Sequence, residues 1–256
     1  MPDAPEPLRV LHLTDPHLFA DSRGELRGVA TRASLSRVLD HYAAGDWRAD
    51  LAVVTGDLVQ DDSRAAYENF RNLLSRLGLP VYCVPGNHDV RELMQQALAS
   101  PPFHYCEAVR AGNWLIACLD SCIEGEVGGR IPERELSRLE SDVARTDAAH
   151  VMVCVHHPPV PVQSRWLDGV GLANGAEFLA RLTAIARVRL AIFGHVHQEY
   201  DSEHDGIRIL TTPSTCRQFA PRSDEFAVDD RPPAYRRIEL HHDGRFTHEL
   251  VWVDSA

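Results

Sequence analysis

No apolar run in this chain of 256 residues is long enough to cross a membrane, and no apolar stretch precedes Arg9 in the manner of a secretory signal. A cytoplasmic protein is the expectation. Positive charge is scarce as well: 26 Lys and Arg stand against 37 Asp and Glu, a formal net charge of −11. Non-specific nucleic-acid binders rely on a basic footprint, so neither nucleic acid nor a membrane is an expected partner. A small anionic substrate stays open, because bound cations can dominate their local field. The six cysteines show no zinc-ribbon spacing, and Cys118 and Cys122 are not answered by a second pair. Cys83, Cys118 and Cys154 sit in apolar runs as small hydrophobes, so reduced thiols are expected. Repeats, low-complexity tracts and interdomain linkers are also missing. One domain over 1–256 is therefore expected, with 206–256 contributing terminal strands. What the chain does have in excess is histidine, 14 of them.

Hydrophobic patterning gives an alternating grammar. Buried strands are expected at Leu8 to Leu13, Leu51 to Thr55, Pro80 to Val84, Trp114 to Leu119, His150 to Val155 and Leu190 to Phe193. Helices are expected at Arg32 to Tyr42, Ser63 to Leu77 (stopped by Gly78), Glu92 to Leu98, after Pro132, and Ala176 to Ala186. From Gly206 onward the pattern turns to strands: Gly206 to Thr211, Ala234 to Leu240 and Thr247 to Val253, with a turn at His242-Asp243-Gly244. This order argues an α/β domain in layers with strands added at the end.

Five of these first six strands deliver metal-capable side chains at their carboxyl ends. They are Asp15 and His17, then Asp57, then Asn87 and His88, then His156, then His195 and His197. In open α/β sheets those ends share a rim where ligands bind. Any one of these residues could be a turn, a cap or a packing residue, but that does not explain why all fall at strand ends. Nitrogen and oxygen donors in this number suit a pair of divalent transition metals better than calcium. Asp57, alone at its strand end, is the natural bridge.

In these motifs the chain resembles the calcineurin-like metallophosphoesterases: Asp15-x-His17, Gly56-Asp57, Gly86-Asn87-His88-Asp89, His156 and Gly194-His195-x-His197. The resemblance implies a four-layer fold, a β-sandwich of two mixed sheets flanked by helices. It implies a first ion on Asp15, His17, Asp57 and His197, and a second on Asp57, Asn87, His156 and His195. Iron and manganese rank ahead of zinc and cobalt, with Asp57 and a water or hydroxide bridging. Within the family the chain looks like the bacterial class III cyclic nucleotide phosphodiesterases. The further signals are Asp120-Ser121, His156-His157-Pro158-Pro159, Gln198, and Pro213-Ser214-Thr215-Cys216 with Gln218-Phe219. The implied reaction is hydrolysis of cyclic AMP to the 5′-monophosphate, with other metallophosphoesterase substrates as the alternative. His88 with Asp89 is the implied catalytic pair; His17, Asn87, His88 and His197 would touch substrate. A homodimer is common in the family.

Three readings stay open at this stage. Asp89 either orients His88 or caps the next helix. Residues 214–216 form either a strand-exit turn or a wall near the nucleotide. Trp166, in the connection Val160 to Ala173, either anchors its loop or stacks on a base.

Overall fold

The computed structural model describes residues 5–254; residues 1–4 and 255–256 of the expected domain lie outside the described residues. The chain runs through β1 (Leu8–Leu13), α1 (Thr31–Ala44), β2 (Leu51–Thr55), α2 (Arg64–Leu74), β3 (Val81–Val84), α3 (Arg91–Ala97), β4 (Phe103–Tyr105) and β5 (Ala108–Ala111). It continues through β6 (Trp114–Cys118), α4 (Glu133–Arg145), β7 (His150–Cys154), α5 (Arg165–Asp168), α6 (Gly175–Ala184) and β8 (Val188–Phe193). Last come β9 (Tyr200–His204), β10 (Ile207–Thr211), β11 (Ala234–Leu240) and β12 (Phe246–Trp252).

These strands form two six-stranded sheets, ordered β12-β11-β1-β2-β3-β4 and β9-β10-β8-β7-β6-β5. Both are mixed. In the first, β1 to β4 are parallel neighbours while β11 joins β1 antiparallel. In the second, β6, β7, β8 and β10 are parallel, with β5 and β9 antiparallel at the edges. Parallel neighbours bring successive carboxyl ends to one rim, and this is how residues far apart in sequence meet.

Period-2 alternation explains the layers. Val10, Leu51, Val53, Tyr82, Ile238 and Leu240 face the second sheet and pack with Trp114, Ile116, Met152, Leu190 and Ile192. Their neighbours Leu11, Leu13, Ala52 and Val54 face the other way, onto α1 and α2. The second sheet's outer face packs on α4 and α6 through Leu136, Leu139, Phe178 and Leu182. Helix, sheet, sheet, helix is the expected four-layer order.

Local signals place the helices. Ser63 caps α2 by accepting from Ala66 N at 3.1 Å, and Ala66, Tyr67, Phe70, Leu73 and Leu74 are its buried stripe. The expected single helix to Leu77 instead tightens into a 3-10 turn over Ser75–Leu77, closed by Gly78 at φ 67°. Strands β4, β5 and β9 were not expected. Strand β9 reads Tyr-Asp-Ser-Glu-His, with no apolar alternation, and is an edge held by its ladder to β10. Two short ladders, Glu25–Leu26 with Val29–Ala30 and Gln218–Phe219 with Val228–Asp229, lie outside the main sheets. All six cysteines are free thiols. No helix among the described residues is long and apolar enough to cross a membrane.

Candidate metal centre

The loops leaving β1, β2, β3, β7 and β8 bring all seven candidate donors to one rim. Five of them hold left-handed backbone: Asp15 (φ 51°), His17 (46°), Asp57 (50°), His195 (71°) and His197 (47°). Each such residue costs about 1–3 kcal/mol and persists only where its surroundings over-determine it. Here they do. Asp15 N donates to Gly56 O, His17 N to Asp57 O, His88 N to Asp57 Oδ1 and His195 N to the Asp15 carboxylate, all within 3.2 Å. Gly56, at φ 92°, is required by this crossing of loops, since a Cβ there would run into the His156 ring and Gly86 N.

The histidine rings are aimed by their outer nitrogens. Nδ1 of His156 donates to Thr55 O at 2.7 Å, and Nδ1 of His197 donates to Arg217 O at 2.6 Å. Nδ1 of His17 donates to Gln60 Oε1 at 2.8 Å. Each bond fixes the tautomer that leaves Nε2 as a lone pair facing inward.

Those inward atoms fall into two groups. In the first, His17 Nε2 lies 3.0 Å from His197 Nε2 and 3.6 Å from Asp57 Oδ2, and His197 Nε2 lies 3.3 Å from Asp15 Oδ1. In the second, His156 Nε2 lies 3.5 Å from Asp57 Oδ1, 3.3 Å from Asn87 Oδ1 and 3.2 Å from His195 Nδ1. The two oxygens of Asp57 are divided between the groups. Lone pairs this close repel unless a cation or proton lies among them, so the residues fit metal ions of the kind that accept nitrogen and oxygen. His157 also brings a ring near the second group. Its nitrogens are committed elsewhere, Nδ1 accepting from Ser121 at 2.8 Å and Nε2 donating to Val127 O at 3.0 Å. It backs His195 rather than joining the donors.

Charge reinforces this arrangement. Burial raises the Asp57 carboxyl, but His156, His17, His88 and His195 more than offset it and hold it ionised well below the usual range. Asp15 is lowered too: burial opposes, and His197 and His156 prevail. Burial drives His17 to about 4, His157 to about 3, and His195 well below the usual imidazole range. His197 alone is raised, because Asp15 outweighs its burial.

His88 and Asp89 stand just outside the donors. Gln60, which accepts from His17, donates through Nε2 to His88 Nδ1 at 3.2 Å and so ties the two rings together. Asp89 accepts from Gly86 N at 2.9 Å, from Leu58 N at 3.1 Å and from Tyr67 Oη at 3.0 Å. Neither His88 nor the first turn of α3 is among these partners, and Val90 occupies the N-cap. Asp89 thus clamps the loops that carry Asp57 and Asn87. Burial, then the charge of Asp57, pushes its carboxyl up to about 7.

A cavity of about 210 Å³ opens over the donors, with His88 at its edge. Trp166, Phe219 and Phe226 form one wall, ring centroids 5.2–5.5 Å apart, and Arg27 lies over Phe226 at 4.9 Å. Phe219 also stacks on His197 at 4.2 Å. The buried Trp166 Nε1 has no partner among the described residues. Ser214 and Thr215, by contrast, bond the backbone of Asp15 and Thr14 and lie beneath the donors. Sequence reasoning missed Gln60, Tyr67 and Phe226; nothing in their spacing relates them to the donor motifs.

Residues 8–199 match the family model described as calcineurin-like phosphoesterase. The chain is 35% identical, over 97% of its length and 91% of the relative's, to the 3′,5′-cyclic adenosine monophosphate phosphodiesterase CpdA of Haemophilus influenzae. It is 38% identical, over 96% and 90%, to the protein of that name from Pseudomonas aeruginosa. Among solved structures it is similar to a dimetal phosphatase from Danio rerio, with TM-score 0.66 and 17% identity, over 97% of this chain and 100% of that one.

Proposed function

The chain belongs to the calcineurin-like phosphoesterases, and on that footing we propose that it hydrolyses 3′,5′-cyclic AMP to 5′-AMP at a dimetal centre in the cytoplasm. The observation that carries this reading is the junction of the two donor groups with an aromatic-walled cavity, a floor for one phosphate beside a wall for one base. The names of the relatives point to the same substrate.

Asp15, His17, Asp57 and His197 would hold one ion, and Asp57, Asn87, His156 and His195 the other, with Asp57 bridging. Donors of nitrogen and carboxylate oxygen accept iron, manganese, zinc and cobalt alike, and the family resemblance puts iron or manganese first. When bound, the pair supplies Lewis-acid activation of the phosphoryl group and of water near neutral pH. The chain's own residues do the rest. His88, with Nδ1 held by Gln60, presents Nε2 to the departing 3′ oxygen and delivers the proton it needs. Asp89 keeps the loops of Asp57 and Asn87 in register. Trp166 and Phe226 take the base by stacking.

The test is a substrate panel with manganese- and iron-reconstituted protein: cyclic AMP, cyclic GMP, nucleoside diphosphate derivatives and p-nitrophenyl esters. Cyclic AMP should be turned over with the highest kcat/KM. Turnover of the generic esters at equal or better efficiency would overturn the assignment.

A further inference from the structure

The sandwich interior is apolar except at its upper end, directly beneath Asp15. By strand parity His12, Thr55 and Arg236 should face the opposite sheet as Val10, Val53 and Ile238 do, and register sets His12 beside Arg236. All three are buried, together with Thr14 and Thr212, and Arg236 is only 1% exposed. No carboxylate forms an ion pair with Arg236 among the described residues. Its guanidinium donates instead to Thr211 O at 2.7 Å, to His248 Nδ1 at 2.9 Å and to Thr212 Oγ1 at 3.4 Å. A buried charge satisfied this way is costly, and a sandwich interior needs no such group for packing alone.

From Arg236 the hydrogen bonds run in one direction. Thr14 Oγ1 donates to Asp15 Oδ2 at 2.6 Å, so it must accept from Thr55 Oγ1, 2.8 Å away. Thr55 therefore accepts from His12 Nε2 at 2.8 Å, which makes His12 Nδ1 the acceptor for Thr212 Oγ1, also at 2.8 Å. Thr212 in turn accepts from Arg236. Each hydroxyl donates once along the chain, and every step points from the guanidinium to the carboxylate. Aligned bonds of this kind polarise one another in a low-dielectric interior.

We propose that Arg236, Thr212, His12, Thr55 and Thr14 form a positioning relay for Asp15. The relay holds Asp15 Oδ2 and so turns Oδ1 toward His197 and the first ion. None of the five touches substrate. The proposal rests on the Asp15 group being a metal site and is independent of which phosphodiester is hydrolysed.

Thr212 gives the cleanest test, because Thr212→Val keeps the shape and removes the donor, whereas Thr212→Ser keeps the donor and loses the methyl. Manganese binding is measured without substrate by equilibrium dialysis, and the ions are assigned by electron paramagnetic resonance. In Thr212→Val the first ion should bind more weakly by up to about tenfold, the low end of the range for direct partners of a metal ligand, because Thr212 reaches Asp15 only through His12, Thr55 and Thr14. At limiting manganese, the signal of a coupled pair should then give way to that of a lone ion. Thr212→Ser should restore both. Arg236→Met should weaken the same ion; should that variant not fold, the Thr212 pair still decides. Unchanged affinity in folded Thr212→Val would overturn the relay, as would a loss in Thr212→Ser equal to that in Thr212→Val. A wild-type protein that binds two ions but ignores cyclic AMP would refute the phosphodiesterase reading and leave the relay standing.

Discussion

The Nε2 atoms of His17 and His197 face each other across 3.0 Å, while their Nδ1 atoms are tied to Gln60 and to the Arg217 carbonyl. Without a metal only a proton can relieve that approach. Burial strips His17 of it and Asp15 fixes it on His197.

Metal uptake must therefore displace a proton. Asp15 raises the proton affinity of His197, so protons compete with the metal for this ring and metal affinity should fall as pH falls. Calorimetry in buffers of different ionisation enthalpy should report net proton release at pH 6. Zero release would contradict the arrangement.

His88→Ala should keep both ions and lose turnover by about 10²–10⁴-fold, the usual range for a positioned proton donor. Metal analysis alongside kcat checks it. Loss of an ion would show instead that the ring supports His17 through Gln60.

Trp166→Ala should raise KM for cyclic AMP about tenfold, since stacking of a base on an aromatic is worth about 1–3 kcal/mol. Hydrolysis of bis-p-nitrophenyl phosphate, which carries no base, should change little. An equal loss on both substrates would mean that Trp166 only anchors its loop.

Tyr67→Phe removes an acceptor for Val90 N at 2.9 Å and a donor to Asp89 at 3.0 Å. Tyr67 is fully buried, so the variant should lose about 1–3 kcal/mol of stability. The urea midpoint should fall, with kcat falling too as the Asp57 and Asn87 loops loosen. An unmoved midpoint would refute the clamp.

His12 predicts how stability depends on pH. Burial, then Arg236, lowers it from 6.5 to about 3, so the folded protein keeps it neutral. Unfolded chains bind a proton there below pH 6.5 and folded ones do not. Stability is thus complete above 6.5 and drains away as pH falls toward 3, by up to about 1.4 kcal/mol per pH unit. Metal-free His12→Gln should show a shallower loss than metal-free wild type between pH 7 and 5.

The donors were legible because each follows a buried strand, and a parallel sheet turns that repetition into one rim. Asp15, Asp57, His156 and His195 needed only that rule. The relay was not legible. Thr14, Thr55, Thr212 and Arg236 are ordinary residues until register sets His12 beside Arg236, a pairing across 224 positions that no local pattern encodes. Strand β9 was hidden for a related reason, since its order comes from the ladder to β10 rather than from its own side chains. The aromatic wall joins Trp166 to Phe226 across a stretch without periodicity, so only the folded loops show the two rings meeting.

Each donor group draws on both sheets: Asp15, His17, Asp57 and Asn87 leave the first, while His156, His195 and His197 leave the second. Neither ion can find its full set until residues 195 and 197 have been synthesised and the two sheets have closed on each other. A full donor set therefore exists only in the folded chain, so closing the two sheets and binding metal favour each other, and the metal-loaded protein should be the harder one to unfold.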